Sequence, residues 1–484
     1  MTPPLHRPTH LFAFLTTLVL GLLLYIPTLS AQVPTAIEAL IRDHLPKGSE
    51  VGIYAYDLHT NRPLIDHRSQ ALARPASTLK LVTAIGYLQH RTSSTQSENS
   101  APFTISLRAD GTVSGDTLHG DLYVKGGFHP LFAAEELEHW AQTLVNHPTR
   151  PIRVVTGGLY ADLSCKDTLH WGSGWAWDDE PEPFQPHLSA LMLNQGTVTV
   201  RVTPSAVAGM PATVEINPRS TAYAVSNRTQ SMAPQAGELR IGRNEHNVIH
   251  VMGNASRPVT RSLSLHDRHG HFFMTTLADR LTEAGLRIGQ QRYALRICAD
   301  SLPALCTSQA DLDEVLHEAL GESNNLCAEY LLLELGRGGE KQNAIGATDG
   351  IEMLRAFLKQ LGYGSQDYRI ADGSGLSPYN YLSPALLVEV LRWAHGKPEV
   401  YRHLSEALPL SGVSGTLKNR MKQGPAHKHV WAKTGTMTGI SSLAGYVRAA
   451  NGHLIAFAVM NQNVLSASKA RDFQDRVCQW LARQ

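Results

Sequence analysis

Residues 51–90, VGIYAYDLHTNRPLIDHRSQALARPASTLKLVTAIGYLQH, change their hydrophobic period once. The run Val51–Asp57, a turn at Thr60-Asn61 and the apolar Leu64-Ile65 predict a β-hairpin. From Ser77 to about His90 the apolar positions Leu79, Val82 and Ile85 or Tyr87 recur at helical spacing, with Pro75 just outside the start. Ser77 and Lys80 stand three residues apart at the beginning of that helix, so a hydroxyl and an amine emerge on one face within hydrogen-bond reach. A serine hydroxyl is a weak nucleophile until a neighbour takes its proton. A lysine does so once burial or nearby positive charge brings its pKa down from about 10.4.

The polar, Ser/Thr-rich stretch RTSSTQSENS at 91–100 marks a boundary. Beyond it the character turns to short strand-like runs: FTISLRADGTV with a turn expected at Asp110-Gly111, DLYVKGG, TVTVRVTP, ATVEINP and NVIHVMG. One helix, around Met274 to Ala284, interrupts them, with Gly285 as its stop. Helical periodicity returns at about 311, with Leu312, Val315, Leu316, Ala319 and Leu320 on one face, a break at Gly321, and a second apolar helix from Leu326 to Leu335. After Val430 the pattern is strand-like again, with Asn451-Gly452 as a hairpin signal, and a terminal helix carries Phe473, Val477, Trp480 and Leu481.

The two ends share one style and the middle has another. Roughly 60 residues before the middle segment cannot bury a core alone, whereas joined to the last part they make a domain of ordinary size. The expected architecture is α+β: residues 32–93 and 306–484 form one domain, split by a β-rich insertion at 94–305 that holds two units, one nested in the other.

Among 484 residues the charged fraction is 18 % and the formal net charge is +1, which argues against a nucleic-acid partner and against an acidic disordered chain. His6, Arg7 and His10 precede an apolar run from Leu11 to Ile26, followed by Pro27 and Ser30-Ala31, so residues 1–31 read as a signal peptide cleaved near Ala31. The alternative is an uncleaved anchor, which needs about 20 apolar residues. Cleavage makes the mature chain soluble outside the cytoplasmic membrane, with the periplasm expected. Five cysteines leave at least one unpaired; Cys298 and Cys306 form either a disulfide or two small buried hydrophobes. His266, His269 and His271 are expected on a solvated hairpin tip rather than around a metal, because Asp267 and Gly270 supply turn chemistry and no fourth ligand is apparent.

Two more short patterns carry chemistry. Ser323-Asn324-Asn325 places a hydroxyl and an amide in the interhelical turn, where helix capping is the ordinary use of such residues. Lys433-Thr434-Gly435 places a cation and a hydroxyl on a strand, followed by a glycine that lets another backbone approach closely. Each is weak alone: Ser466–Lys469 repeats the first spacing at the start of the last helix, and Ser97–Asn99 repeats the second in the polar boundary.

Order and setting separate the three from chance. SxxK opening a helix after a hairpin, SxN between helices and KTG on a strand resemble the signature of serine β-lactamases and penicillin-binding proteins. With GDLYVKGGFHP, GWAWDD, DGSGLSPYNYLSP and SGVSGTLKNRM in addition, the chain resembles the class C low-molecular-mass penicillin-binding proteins, the D-Ala-D-Ala carboxypeptidase/endopeptidases of peptidase family S13. That resemblance implies an antiparallel sheet flanked by helices. It also implies a serine DD-peptidase that cleaves D-alanyl-D-alanine, and D-alanyl cross-links, of peptidoglycan peptides through an acyl-enzyme, and that β-lactams acylate as covalent inhibitors. By the same resemblance Ser77 is the nucleophile, Lys80 its base, and Ser323 the relay to the leaving D-alanine. Asn325 holds the substrate amide, Lys433 tunes the Ser323 proton, Thr434 binds the terminal carboxylate and Gly435 completes the strand motif. The backbone N–H groups of Ser77 and Thr436 form the oxyanion hole. Asp179, two residues past Trp177, meets the free amine of a diaminopimelate-type side chain. Neither metal nor cofactor is required.

Three rivals are weaker. A class A β-lactamase carries a water-activating Glu-x-x-x-Asn pattern that is not found here after the short gap. A pure binding protein has no need of the Ser77–Lys80 pair. A bifunctional transpeptidase needs a second catalytic module, for which the chain ahead of Ser77 has no room.

Overall fold

The computed structural model describes residues 33–93, 102–289, 293–339 and 343–484. The expected leader and most of the polar boundary lie outside them. The first hairpin forms from strands Glu50–Asp57 and Arg62–His67. It joins a five-stranded antiparallel sheet in the order Val430–Met437, Gly439–Arg448, Leu454–Val464, Glu50–Asp57, Arg62–His67. The two ends of the chain therefore complete one sheet, with the Val430–Met437 strand on its border.

Alternation along the strands divides this sheet between two cores. Tyr56, Ala444, Tyr446, Ala456, Ala458 and Met460 face a helical layer that includes Leu79–Ser93, Asn325–Arg337, Ala347–Gln360 and Pro384–His395. Their neighbours Ala55, Leu443, Val447, Ile455, Phe457 and Val459 face Phe473, Val477 and Leu481 of the terminal helix Ala467–Leu481. The whole is an α+β fold with a helix-flanked antiparallel sheet.

Residues 104–309 build separate sheets. Seven strands, among them Thr104–Ser114, Thr117–Lys125 and Ala304–Gln309, form one; the segment between Thr197 and Ser264 contributes two three-stranded sheets. Thr197 pairs with Ser264, so the two ends of that segment lie side by side. The expected boundary at 305/306 falls inside the Ala304–Gln309 strand, which pairs with Thr104–Ser114, so the sheet of the middle segment extends to Gln309.

Two other expectations need correction, and one open alternative is decided. Asp110-Gly111 is not a turn: the strand runs on to Ser114, and the reversal lies between Ser114 and Thr117, which pair. Cys298 and Cys306 form no disulfide. Both thiols are free, Cys298 packing with Tyr123 and Tyr160 and Cys306 against a different apolar cluster. Finally, His266, His269 and His271 do not sit on a hairpin tip. The fully buried Asp267 accepts the Phe272 N–H at 2.8 Å and starts the helix His271–Glu283, while His266 pairs with Glu180 at 2.6 Å. No described helix is long and apolar enough to cross a membrane.

Candidate active site

Ser77 lies in a single 3₁₀ turn, Ala76–Thr78, that runs directly into the helix Leu79–Ser93. Ala76 adopts φ +47°, and Thr78 Oγ1 donates to the Pro75 carbonyl at 2.7 Å, which fixes the turn ahead of the helix. Lys80, only 1 % exposed, brings Nζ to 2.9 Å from Ser77 Oγ. It also donates to Asn325 Oδ1 at 2.6 Å and to the Ser374 carbonyl at 2.8 Å. Burial pulls its pKa from 10.5 down to about 7, against the opposing pull of Asp372 and Glu329.

A second serine–lysine pair stands beside the first. Ser323 adopts φ +66° in the turn between helices Leu312–Leu320 and Asn325–Arg337, and its Oγ accepts from Lys433 Nζ at 2.8 Å. The capping duty that would have explained the serine falls to Asn324, whose side chain accepts the Cys327 N–H. Lys433 has no solvent exposure. Burial, with Lys80 as a neighbouring cation, lowers its pKa well below that of a free lysine.

Gly435 is the point of closest approach between strand and nucleophile. A Cβ there would lie 2.6 Å from the Pro75 carbonyl oxygen and 3.1 Å from the amide nitrogens of Ser77 and Thr78. Gly375, at φ +81°, also closes on this turn, since its Cβ would lie 2.0 Å from the Ala76 carbonyl oxygen. Two glycines thus pack closely against the 3₁₀ turn.

Above the pairs opens a cleft of about 560 Å³, lined among others by Ser77, Ser323, Asn325, Thr436, Asp178 and Asp179. Not every expected residue faces it. Thr434 Oγ1 donates to Thr416 Oγ1 at 2.9 Å and is not part of the lining, whereas Thr436 is. Asn325 uses both ends of its amide already, Oδ1 on Lys80 and Nδ2 on the Phe184 carbonyl at 2.7 Å. In this arrangement it orients the lysine and ties down the segment that walls the cleft. Asp179 sits on a 3₁₀ turn, Trp177–Asp179, and its carboxylate makes no hydrogen bond or ion pair among the described residues. Partial burial, Asp178 and Glu182 raise its pKa. Ser466, the competing serine, shares a hydrogen bond between its Oγ and Ser468 Oγ at 3.0 Å at the start of the terminal helix.

Sequence reasoning missed Glu329 and the role of Asp372. Asp372 Oδ1 accepts from Gly375 N and Asn380 Nδ2, and Oδ2 from Ser377 N and from the Trp175 indole at 3.0 Å. It folds the loop that presents the Ser374 carbonyl and pegs the cleft wall to it. The available signals were the aspartate opening DGSGLSPYNYLSP and a glutamate on the apolar face of a helix.

A hydroxyl 2.9 Å from a buried amine whose pKa is drawn down to about 7 pairs a nucleophile with a base that can take its proton, and it stands where a hairpin of the antiparallel sheet gives way to a helix. The sequence profile of the D-Ala-D-Ala carboxypeptidase 3 (S13) family matches residues 33–484, so the chain belongs to that family. It is a serine-type D-Ala-D-Ala carboxypeptidase. A D-alanyl-D-alanine carboxypeptidase of an Actinomadura species is 30 % identical over 453 residues, 88 % of this chain and 80 % of that protein. The D-alanyl-D-alanine carboxypeptidase DacB of Haemophilus influenzae is 24 % identical over 445 residues, 90 % of each chain. The crystal structure of penicillin binding protein 4 from the same organism superposes with a TM-score of 0.79 at 21 % identity, over 93 % of this chain and 99 % of that one.

Proposed function

We propose that Ser77 is the acylated residue and that the two serine–lysine pairs divide the proton transfers between them. Neutral Lys80 takes the Ser77 proton as Oγ bonds to the penultimate D-alanyl carbonyl carbon. The oxyanion is met by the backbone N–H groups of Ser77 and Thr436. As the C–N bond breaks, the leaving D-alanine nitrogen takes a proton from Ser323, which is made good by the proton that Lys80 took from Ser77, so Lys80 is neutral again when the ester stands; Lys433, 2.8 Å from Ser323 Oγ, tunes that transfer. Water then attacks the ester, giving its proton to the again neutral Lys80, which passes it to Ser77 Oγ as the shortened peptide leaves. Thr436, which lines the cleft, borders the place of the terminal carboxylate, and Asp179 offers an unpaired carboxylate to an amine on the peptide side chain. Residues 94–309 act as an insertion whose 172–188 segment walls the cleft. The enzyme acts on peptidoglycan peptides after export past the cytoplasmic membrane, in the periplasm.

The observation that carries this proposal is the convergence of both pairs on one cleft, at 2.9 Å and 2.8 Å. The test is labelling with a fluorescent penicillin, then digestion of purified peptidoglycan fragments with mass analysis. Ser77→Ala is expected to abolish both labelling and D-alanine release while the protein stays folded. Loss of labelling in Ser466→Ala instead would defeat the assignment.

A further inference from the structure

Three oxygens surround Lys80 Nζ: Ser77 Oγ, Asn325 Oδ1 and the Ser374 carbonyl. Only Ser77 Oγ carries a proton. A neutral amine has two N–H bonds and one lone pair, so donating to the two carbonyl oxygens turns the lone pair toward Ser77. Asn325 is part of a helix and is held at its other end by the Phe184 carbonyl. The Ser374 carbonyl belongs to a loop, and its direction needs a separate support.

Glu329 supplies one. Its Oε1 accepts the N–H groups of Gly373 at 3.1 Å and Ser374 at 2.8 Å, and Oε2 accepts that of Gly373 at 3.1 Å. It stands four residues past Asn325 on the same helix, so one helix face carries both supports of the amine. The side chain is 2 % exposed and forms no ion pair with an arginine or lysine among the described residues. Folding a carboxylate into such a place is unfavourable unless its hydrogen bonds or its charge are needed there.

We infer that Glu329 is a positioning residue of the peptidase: it clamps the Gly373–Ser374 backbone so that the Ser374 carbonyl aims the Lys80 lone pair at Ser77. The inference rests on Lys80 being the base. The charged and titratable groups facing Lys80 are Asp372, Glu329, Cys327 and Lys433; those facing Glu329 include Asp372. Burial beside Asp372 raises the Glu329 pKa, while its anionic form helps Lys80 to keep a proton. Positioning and field are therefore separable by substitution.

The experiment follows penicillin acylation against pH in the full-length enzyme, its Glu329→Gln, Glu329→Asp and Lys80→Ala variants, with thermal unfolding alongside. Glutamine keeps an oxygen for both N–H groups but removes the charge, so the acid limb is expected to move down by about one pH unit, a tenfold change at fixed acidic pH. Aspartate keeps the charge but falls one methylene short, so the plateau rate is expected to drop roughly tenfold or more. An unmoved acid limb in Glu329→Gln together with a wild-type plateau in Glu329→Asp overturns the inference, even if both variants melt earlier. Wild-type acylation by Lys80→Ala would instead remove the base assignment on which it stands.

Discussion

Gly435→Ala tests whether the site depends on how closely its strand can approach the nucleophile. The added Cβ would meet the Pro75 carbonyl oxygen at 2.6 Å and the amide nitrogens of Ser77 and Thr78 at 3.1 Å. All three are backbone atoms, so no side chain can swing aside. Restoring ordinary contact at the tightest of these requires the strand and the 3₁₀ turn to part by roughly 0.8 Å. The strand carries Lys433 and the turn carries Ser77, so the separation is applied directly between the two serine–lysine pairs. Overpacking of this kind costs about 1–3 kcal/mol in stability, and a displacement near 1 Å costs on the order of 100-fold in rate. Stopped-flow acylation by a chromogenic β-lactam is therefore expected to slow about 100-fold, with the unfolding temperature lowered by only a few degrees. An alanine variant that acylates within about threefold of wild type would refute the close-approach reasoning.

Lys80, with its pKa brought down to about 7, is protonated below that value and neutral above it, so acylation is expected to rise with pH through about 7. Lys80→Ala should lower the acylation rate about 10²–10⁴-fold, and rates measured between pH 5 and 9 check both statements. Asp179→Ala is expected to reduce kcat/KM on peptides with a free side-chain amine by about 10–150-fold while leaving penicillin acylation unchanged, because penicillin lacks that amine. Equal losses on amine-blocked peptides would assign Asp179 to structure.

The elements nearest the nucleophile could be read from the sequence because their signals are local. The change from hairpin to helical period between Asp57 and Ser77 is set by backbone geometry, and so is the Asn451-Gly452 hairpin. Asp110-Gly111 misled because a glycine inside a strand has the same composition as one in a turn; cross-strand pairing through Ser114 decides the difference. The histidine segment misled for a similar reason, since Asp267 serves a buried helix start that only tertiary packing creates. What distinguishes Ser323 from an ordinary cap is that its neighbour Asn324 takes the capping role. Glu329 and Asp372 act on atoms brought near by folding, and sequence spacing carries no record of that.

The strand bearing Lys433 ends its sheet, and among the described residues its outer row of amides and carbonyls has no partner strand beyond the single bridge from Trp431 to Leu410. Such a margin ordinarily invites stray chains to dock and aggregate. Here Thr436, Met437 and Thr438 open it into the cleft beside Ser77. An extended peptide laid along it would add a sixth strand to the sheet, gripped through its own main chain. Selection would then begin with the direction and handedness of the guest's backbone, before any side chain is consulted, and cutting the guest would dissolve the temporary sheet.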